Sequence, residues 1–452
     1  MKLSLTLAAI LFFTVGFAQK TYWQADVTTG EFGLLKTNFI VSEEDKFIFG
    51  TTIPNAQKRI IGGLKGSLAK GMFQKDGSLM ELDSLTIIDN KVTGYLLLQK
   101  KKYYLEGTKI QNKIVASIKG KTSGLIYGKL EAIEKSVLDK PKNYTLVWND
   151  MKDLTEKYIY KKDVLKTKEW MNFVKYMDEF SKVAEDDAEF VFGFFYKAKD
   201  LPFTHYAVEG NKELATNYSI ARLKKPDNKV SPNLSLLNEQ TFLLDVPAFD
   251  FRANEIDTLM LQIVNSKVKN LIIDLRNNPG GDMEGAMRIC QYITNEPIYG
   301  GIMLSQAYWN KNTSPPVVEN YSNFKVMNTA NYEWFKNEVK NNIEGLCIMT
   351  NPLKETFKGK IYILTSDITA STSEPFVYTL QMKNIAKIIG GKTAGAMLSM
   401  ESFYVQNLKL SIPMLDYYTF DGKRLDRIGV KPDILCEPKD ALNIALNEIL
   451  KE

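Results

Sequence analysis

The sequence predicts a multi-domain α/β chain: an N-terminal antiparallel β domain, a helical layer, and then an α/β core. Three changes of pattern carry this reading. Short alternating segments punctuated by glycine run to Ile133; apolar residues spaced by three and four fill Tyr144 to about Lys199; from Phe242 apolar strand runs alternate with helical patterns. At 452 residues the chain exceeds what one core usually holds, so about two or three domains are expected.

The chain opens on Lys2, an apolar run from Leu3 to Phe17 and a small-residue exit at Gly16, Phe17 and Ala18. This is the pattern of a secretory signal peptide over residues 1–18, so export to a periplasm or out of the cell is expected. No later stretch reaches about 18 uninterrupted apolar residues, and stable membrane insertion is not expected. Cys290, Cys347 and Cys436 are odd in number and widely spaced, which suits buried thiols better than a disulfide framework.

Residues 19–137 read as a β-rich domain, a small barrel or sandwich. Strand and hairpin signals lie at Lys46–Thr51, Arg59–Gly63, Ser84–Ile88 and Val92–Gln99, and Gly50, Gly62, Gly63, Gly66, Gly71, Gly94 and Gly107 suit a curled sheet. Residues 138–204 read as a helical subdomain, with Leu146, Met151, Leu154 and Tyr158, then Trp170, Phe173, Val174, Met177, Phe180 and Val183 on apolar stripes. Tyr206 to Thr241 carries turn signals and is shorter than the roughly 50 residues a domain needs, so it reads as a connection. The core spans 205–452. Its strands are expected at Phe242–Val246, Leu271–Leu275, Ile361–Leu364 and Ile385–Ile389. Its helices are expected near Ile256–Val268, Glu284–Ile293, Thr372–Met382 and Asp440–Leu450. An insertion at about 295–358, with Pro315 and Pro316, is a candidate lid or substrate wall.

The net charge of +5 comes from 58 basic and 53 acidic residues, with lysines in scattered short runs such as Lys100–Lys102. Such runs are solvated faces, and no nucleic-acid partner is expected.

Asp274, Leu275, Arg276, Asn277, Asn278, Pro279, Gly280 and Gly281 link a strand to a helix. Paired glycines there bring backbone N–H groups close to a ligand, although a plain turn has the same composition. Ser371, Thr372, Ser373 and Glu374 open another helix. They form either a capping box or a serine nucleophile whose oxyanion the helix start would favour. His205 is the one histidine in the chain, so a serine that needs an imidazole base must use it, and a multi-histidine metal site is impossible.

These two runs, together with Gly391–Gly395 (Gly-Lys-Thr-Ala-Gly) and Ile428–Asp433 (Ile-Gly-Val-Lys-Pro-Asp), resemble the tail-specific, or C-terminal processing, serine protease family in family order. The resemblance covers Phe242 to the C-terminus, with Phe203, Thr204 and His205 extending it backward. It implies a ClpP/crotonase-like α/β protease core. Where the family's lysine branch carries its base, this chain has Ala396; Lys392 matches a non-catalytic position, and a Ser371–Lys392 dyad would be a departure. The histidine branch, typified by the tricorn protease core, places its histidine after a small hydroxyl residue, as in Thr204–His205. Its acid lies three residues before the Gly-Val pair, here Asp426 in place of the usual glutamate, so the shorter side chain is expected to sit closer to His205.

The resemblance implies a serine endopeptidase. Ser371 would attack, His205 would move the proton, Asp426 would hold the imidazole, and Thr372 with Gly280 or Gly281 would form the oxyanion hole. Peptides or unfolded proteins are the implied substrates, with no cofactor or metal. The connection after His205 leaves no space for the peptide-binding PDZ module of the lysine branch, so strict recognition of a free C-terminal carboxylate is not expected. The rival reading is a catalytically inactive peptide- or ligand-binding protein on the same fold, as in the family's retinoid-binding relatives. A third makes the β domain a carbohydrate or ligand module, with Tyr22, Trp23, Tyr103 and Tyr104 as candidate contacts.

Overall fold

Period-two alternation closes the N-terminal part into a barrel. In the computed structural model, which describes residues 21–30, 32–53, 55–61, 73–120, 125–211, 231–328, 334, 337–338 and 343–451, strands β1 (Thr21–Thr29), β2 (Gly33–Glu44), β3 (Phe47–Thr52), β4 (Met80–Ile88), β5 (Lys91–Leu98), β6 (Lys101–Ile110), β7 (Lys113–Gly120) and β8 (Ile126–Lys135) form a closed barrel. Strand β5 illustrates the cause: Val92, Gly94, Leu96 and Leu98 are buried while their neighbours point outward. Antiparallel pairing of β1 with β8, from Tyr22 opposite Lys135 to Thr29 opposite Gly128, removes the free edges. The leader expected at 1–18 and Gly62, Gly63, Gly66 and Gly71 lie outside the described residues.

One expectation fails here. Arg59–Gly63 was expected to be a strand, but a short helix covers Ala56–Ile61. Ala56 and Ile60 are its buried residues, four apart on one face, and that spacing outweighs the β-branched pair Ile60–Ile61.

The chain divides into two compact units, with a boundary between Pro141 and Lys142 and with Glu31–Leu34 counted in the second. The helical segment falls in the second. Its helices are Tyr144–Tyr158, Lys168–Phe180 and Asp187–Ala198. Asn143, Thr167 and Asp186 cap them by accepting from Leu146, Trp170 and Glu189 N–H. Buried Tyr144, Val147, Trp148, Met151 and Thr155 make a stripe at helical spacing. It joins an aromatic cluster in which Phe173 lies 5.7 Å from Trp148, 5.1 Å from Phe194 and 5.8 Å from Tyr206.

The α/β part is built on two sheets. In the first, β11 (Thr241–Asp245), β12 (Asn270–Asp274), β16 (Lys360–Thr365), β17 (Ala386–Gly390) and β20 (Ile434–Leu435) run parallel, and β10 (Asn233–Asn238) pairs antiparallel with β11. Helices cover both faces, which explains why these strands read as unbroken apolar runs. Leu271 and Ile273 pack in one cluster with Ile256, Met260, Ile289 and Val377. Ile272 and Leu364 face Ala441 and Ala445.

The second sheet has the order β14 (Lys325–Met327), β15 (Gly345–Thr350), β13 (Ile298–Ser305), β19 (Leu408–Tyr418) and β18 (Leu398–Val405), with β9 (Ala207–Gly210) also on β19. The stretch at 295–358 thus contributes β13, β14 and β15 to a sheet, where the sequence suggested only a lid or wall. Each partner of these strands is distant in sequence, such as Ile302 opposite Tyr418, so local pattern alone does not reveal the pairing. No described helix is long and apolar enough to cross a membrane.

Phe173 is 1% exposed at the centre of the aromatic cluster. Phe173→Ala is expected to cost about 3–5 kcal/mol of stability, read as a lower denaturant midpoint in an unfolding titration.

Candidate active site

Strand β16 ends at Thr365, and the chain turns through Ser371 into the helix Ser373–Met382. Ser371 has φ of 54°, a left-handed conformation that a non-glycine residue holds only when its surroundings impose it. Its N–H donates to Ala396 O at 3.0 Å and to Glu374 Oε2 at 3.2 Å. Only the glutamate half of a capping box is present: Thr372, not Ser371, is the residue before the helix, and it makes no side-chain cap. Among the described residues the Ser371 hydroxyl makes no hydrogen bond.

Glu374 is fully buried. It also accepts from Thr393 Oγ1 at 2.6 Å, Gly395 N–H at 2.8 Å and Ala396 N–H at 2.7 Å. Burial holds its carboxyl above the ordinary range while these bonds pull it down. One side chain thus clamps the serine turn to the 393–396 segment, a role beyond the helix cap that local sequence suggests.

The glycine pair lies against the serine. A Cβ on Gly280 would stand 2.6 Å from Ser371 Cβ, and φ there is 103°, so only glycine fits. The Gly280 N–H, however, donates to Asn278 Oδ1 at 2.8 Å. This corrects the expectation that Gly280 could supply an oxyanion donor, since its proton is already used. Gly281 O accepts from Thr372 Oγ1 at 2.7 Å. The N–H groups of Gly281 and Thr372 make no hydrogen bond among the described residues.

His205 precedes β9, which pairs with β19 from Ala207–Ser411 to Gly210–Leu408. Its neighbours Phe203 and Tyr206 are buried. Tyr206 sits 5.7 Å from Trp170 and 5.1 Å from Phe194, and its hydroxyl lies 2.8 Å from Thr155 Oγ1. The helical layer therefore anchors both sides of His205, whose φ of 60° is also left-handed.

Asp426 is fully buried and, among the described residues, makes no hydrogen bond or ion pair to the imidazole. Its Oδ1 accepts from the Thr204 hydroxyl and from Met397 N–H at 3.1 Å. Its Oδ2 accepts from Thr204 N–H and from Arg424 Nη2, each at 3.2 Å. Thr204 Oγ1 lies 2.9 Å from His205 Nδ1. Because the hydroxyl proton goes to the carboxylate, Nδ1 must be the donor in that contact, which leaves Nε2 as the basic nitrogen. The direct Asp426–His205 contact expected from the shorter side chain is thus replaced by a hydroxyl relay. Burial lowers the His205 pKa below its ordinary value, with the Asp426 charge pulling upward.

The four sequence motifs converge through side chains. Ser373 Oγ donates to Asn278 Oδ1 at 3.0 Å, Thr393 Oγ1 to Glu374, and Val430 N–H to Thr393 Oγ1 at 2.6 Å. Ser371 and Asp426 meet the same short segment, one bonded to Ala396 O and the other to Met397 N–H. No hydrogen bond joins Ser371 Oγ to His205 among the described residues. Lys392 is exposed and no described bond links it to Ser371. Sequence reasoning missed the roles of Glu374, Asn278 and Arg424; Glu374 and Asn278 stood in quoted motifs, but their long-range partners carry no local signal.

Residues 241–436 match the family described as Peptidase family S41. A probable CtpA-like serine protease of Staphylococcus aureus (strain COL) is 24% identical over 198 residues, 43% of this chain and 33% of that protein. The match thus spans about a third of that relative's length. Among solved structures, the photosystem II D1 C-terminal processing protease has a TM-score of 0.40 at 12% identity, covering 66% of this chain and 94% of that one. The tricorn protease has a TM-score of 0.43 at 11% identity, covering 96% of this chain and 54% of that one. Residues 241–436, under half of this chain, are thus similar to peptidase family S41, with CtpA-like serine proteases among the similar proteins.

Proposed function

We propose that this chain is an exported serine endopeptidase that cleaves peptides or unfolded proteins through Ser371, His205 and Asp426. One observation carries the reading: the Asp426–Thr204–His205 relay is bonded to the same Ala396–Met397 segment that holds Ser371. Export rests on the leader pattern from Lys2 to Ala18.

In this mechanism Ser371 Oγ attacks the peptide carbonyl carbon as His205 Nε2 takes its proton. The carbonyl oxygen gains the negative charge and lies between the N–H groups of Gly281 and Thr372, where each donor is worth roughly 3 kcal/mol. Collapse of the tetrahedral species breaks the C–N bond, and His205 passes its proton to the departing amine. Water, deprotonated by the same nitrogen, then releases the acid and restores Ser371. Throughout, Thr204 and Asp426 hold Nδ1 as a donor and balance the imidazolium charge. The Ser371–His205 hydrogen bond forms on substrate binding, as catalytic contacts in free enzymes are often long.

Hydrolysis of casein by the mature chain is expected to vanish in Ser371→Ala and in His205→Ala, with unchanged circular dichroism. If the wild type binds casein but leaves it uncut, the chain is a peptide-binding protein on the peptidase fold.

The base must be neutral, and burial lowers its pKa. Activity should therefore persist as pH falls through about 6.5, the ordinary imidazole value, and decline only below it. A kcat/KM profile whose acid limb lies above that point contradicts a half-buried His205 base with a lowered pKa.

Free-acid and C-terminally amidated versions of one peptide are expected to be cleaved at equal rates. A strong preference for the free acid would mean that a carboxylate-reading element exists after all.

A further inference from the structure

The relay ends on a second buried acid. Asp416, 2% exposed on β19, accepts from Arg424 Nε at 2.9 Å through Oδ1 and 3.1 Å through Oδ2. The same guanidinium reaches Asp426 Oδ2 at 3.2 Å and the Tyr160 hydroxyl at 3.1 Å through Nη2. One planar fork therefore spans two buried carboxylates, and its own side chain is only 25% exposed. Tyr418 is the remaining titratable group that faces Asp416.

We propose that Arg424, seated by Asp416, is the positioning residue for the proton relay: it fixes the Asp426 carboxylate toward Thr204 and sets the charge that His205 feels. This rests on the peptidase reading only where it concerns rate. Asp426 is bonded through Oδ1 to Thr204 Oγ1 and Met397 N–H, and rotation about its Cβ–Cγ bond would break the Thr204 contact. Arg424 and Thr204 N–H hold the other oxygen and stop that rotation. Charge supplies the second half of the case. A lone guanidinium beside Asp426 would cancel the negative charge that favours an imidazolium. Asp416 restores it, so two carboxylates and one guanidinium leave one net negative charge in the network behind Thr204. Burial lifts the Asp416 carboxyl to about 6, while the Arg424 guanidinium bonded to both of its oxygens favours the anion. Tyr160 and Tyr418 stay protonated at neutral pH, since burial raises both.

Because His205 is the one histidine, its NMR titration reads the network without any catalysis. Asp416→Asn removes the carboxylate that offsets the guanidinium and should move the imidazole pKa down by about half a unit or more; in Arg424→Met the Asp416 carboxyl, which burial already lifts, takes up a proton, so the imidazole pKa should stay within about half a unit of the wild type. The double variant Asp416→Asn/Arg424→Met removes one charge of each sign. It should titrate near the wild type yet lose at least about tenfold in kcat on casein, with KM within about twofold, because the carboxylate is no longer held in place. Should Arg424→Met fail to fold, Asp416→Asn and the double variant carry the test. An imidazole pKa unmoved in folded Asp416→Asn, or wild-type kcat in the double variant, overturns the proposal. If the pKa shift appears while the wild type cleaves nothing, the electrostatic network stands and the peptidase reading falls.

Discussion

A fully buried carboxylate is stable as an anion only if donors replace the water it has lost. Asp426 imposes that requirement on the whole site. Its donors come from Thr204, Met397 and Arg424, residues brought by the end of the helical layer, the entry to β18 and the segment after β19. Satisfying one charge therefore assembles three distant parts of the chain around His205. Glu374 imposes a second such requirement, and its donors draw the Thr393–Ala396 segment onto the serine turn. The two acids share that segment, so the nucleophile and the relay are tied through a short stretch of backbone.

Backbone strain appears where this assembly is tightest. Ser371, His205 and Arg427 all hold φ near 60°, at 54°, 60° and 63°, which costs of order 1–3 kcal/mol each. The surroundings offset it. Ser371 is held by Ala396 and Glu374, Arg427 donates to Phe203 O at 2.9 Å, and His205 is bracketed by the buried aromatic residues Phe203 and Tyr206. The helical layer thus forms the packed wall against which Phe203 and Tyr206 hold the segment that carries the imidazole.

Much of the architecture was legible because its signals are local. Alternation in β5 and continuous apolar runs in β11, β12, β16 and β17 reflect burial on one face or on two. The serine turn and the glycine pair were legible as candidates for the same reason, since close approach and helix starts restrict residue type. Strands β13, β15 and β19 were not, because they pair across long sequence separations.

The sequence by itself determined which groups are available: one histidine, a serine at a helix start, a glycine pair after a strand, and an acid before Gly429 and Val430. Tertiary structure alone decided how they are connected. Gly280 gives its N–H to Asn278 while that of Gly281 stays unbonded, and Thr204 stands between Asp426 and His205. Residue type limits what a group can do, but hydrogen bonds form between atoms within about 3 Å. For residues separated by some 220 positions along the chain, such as Thr204 and Asp426, only the fold sets that distance.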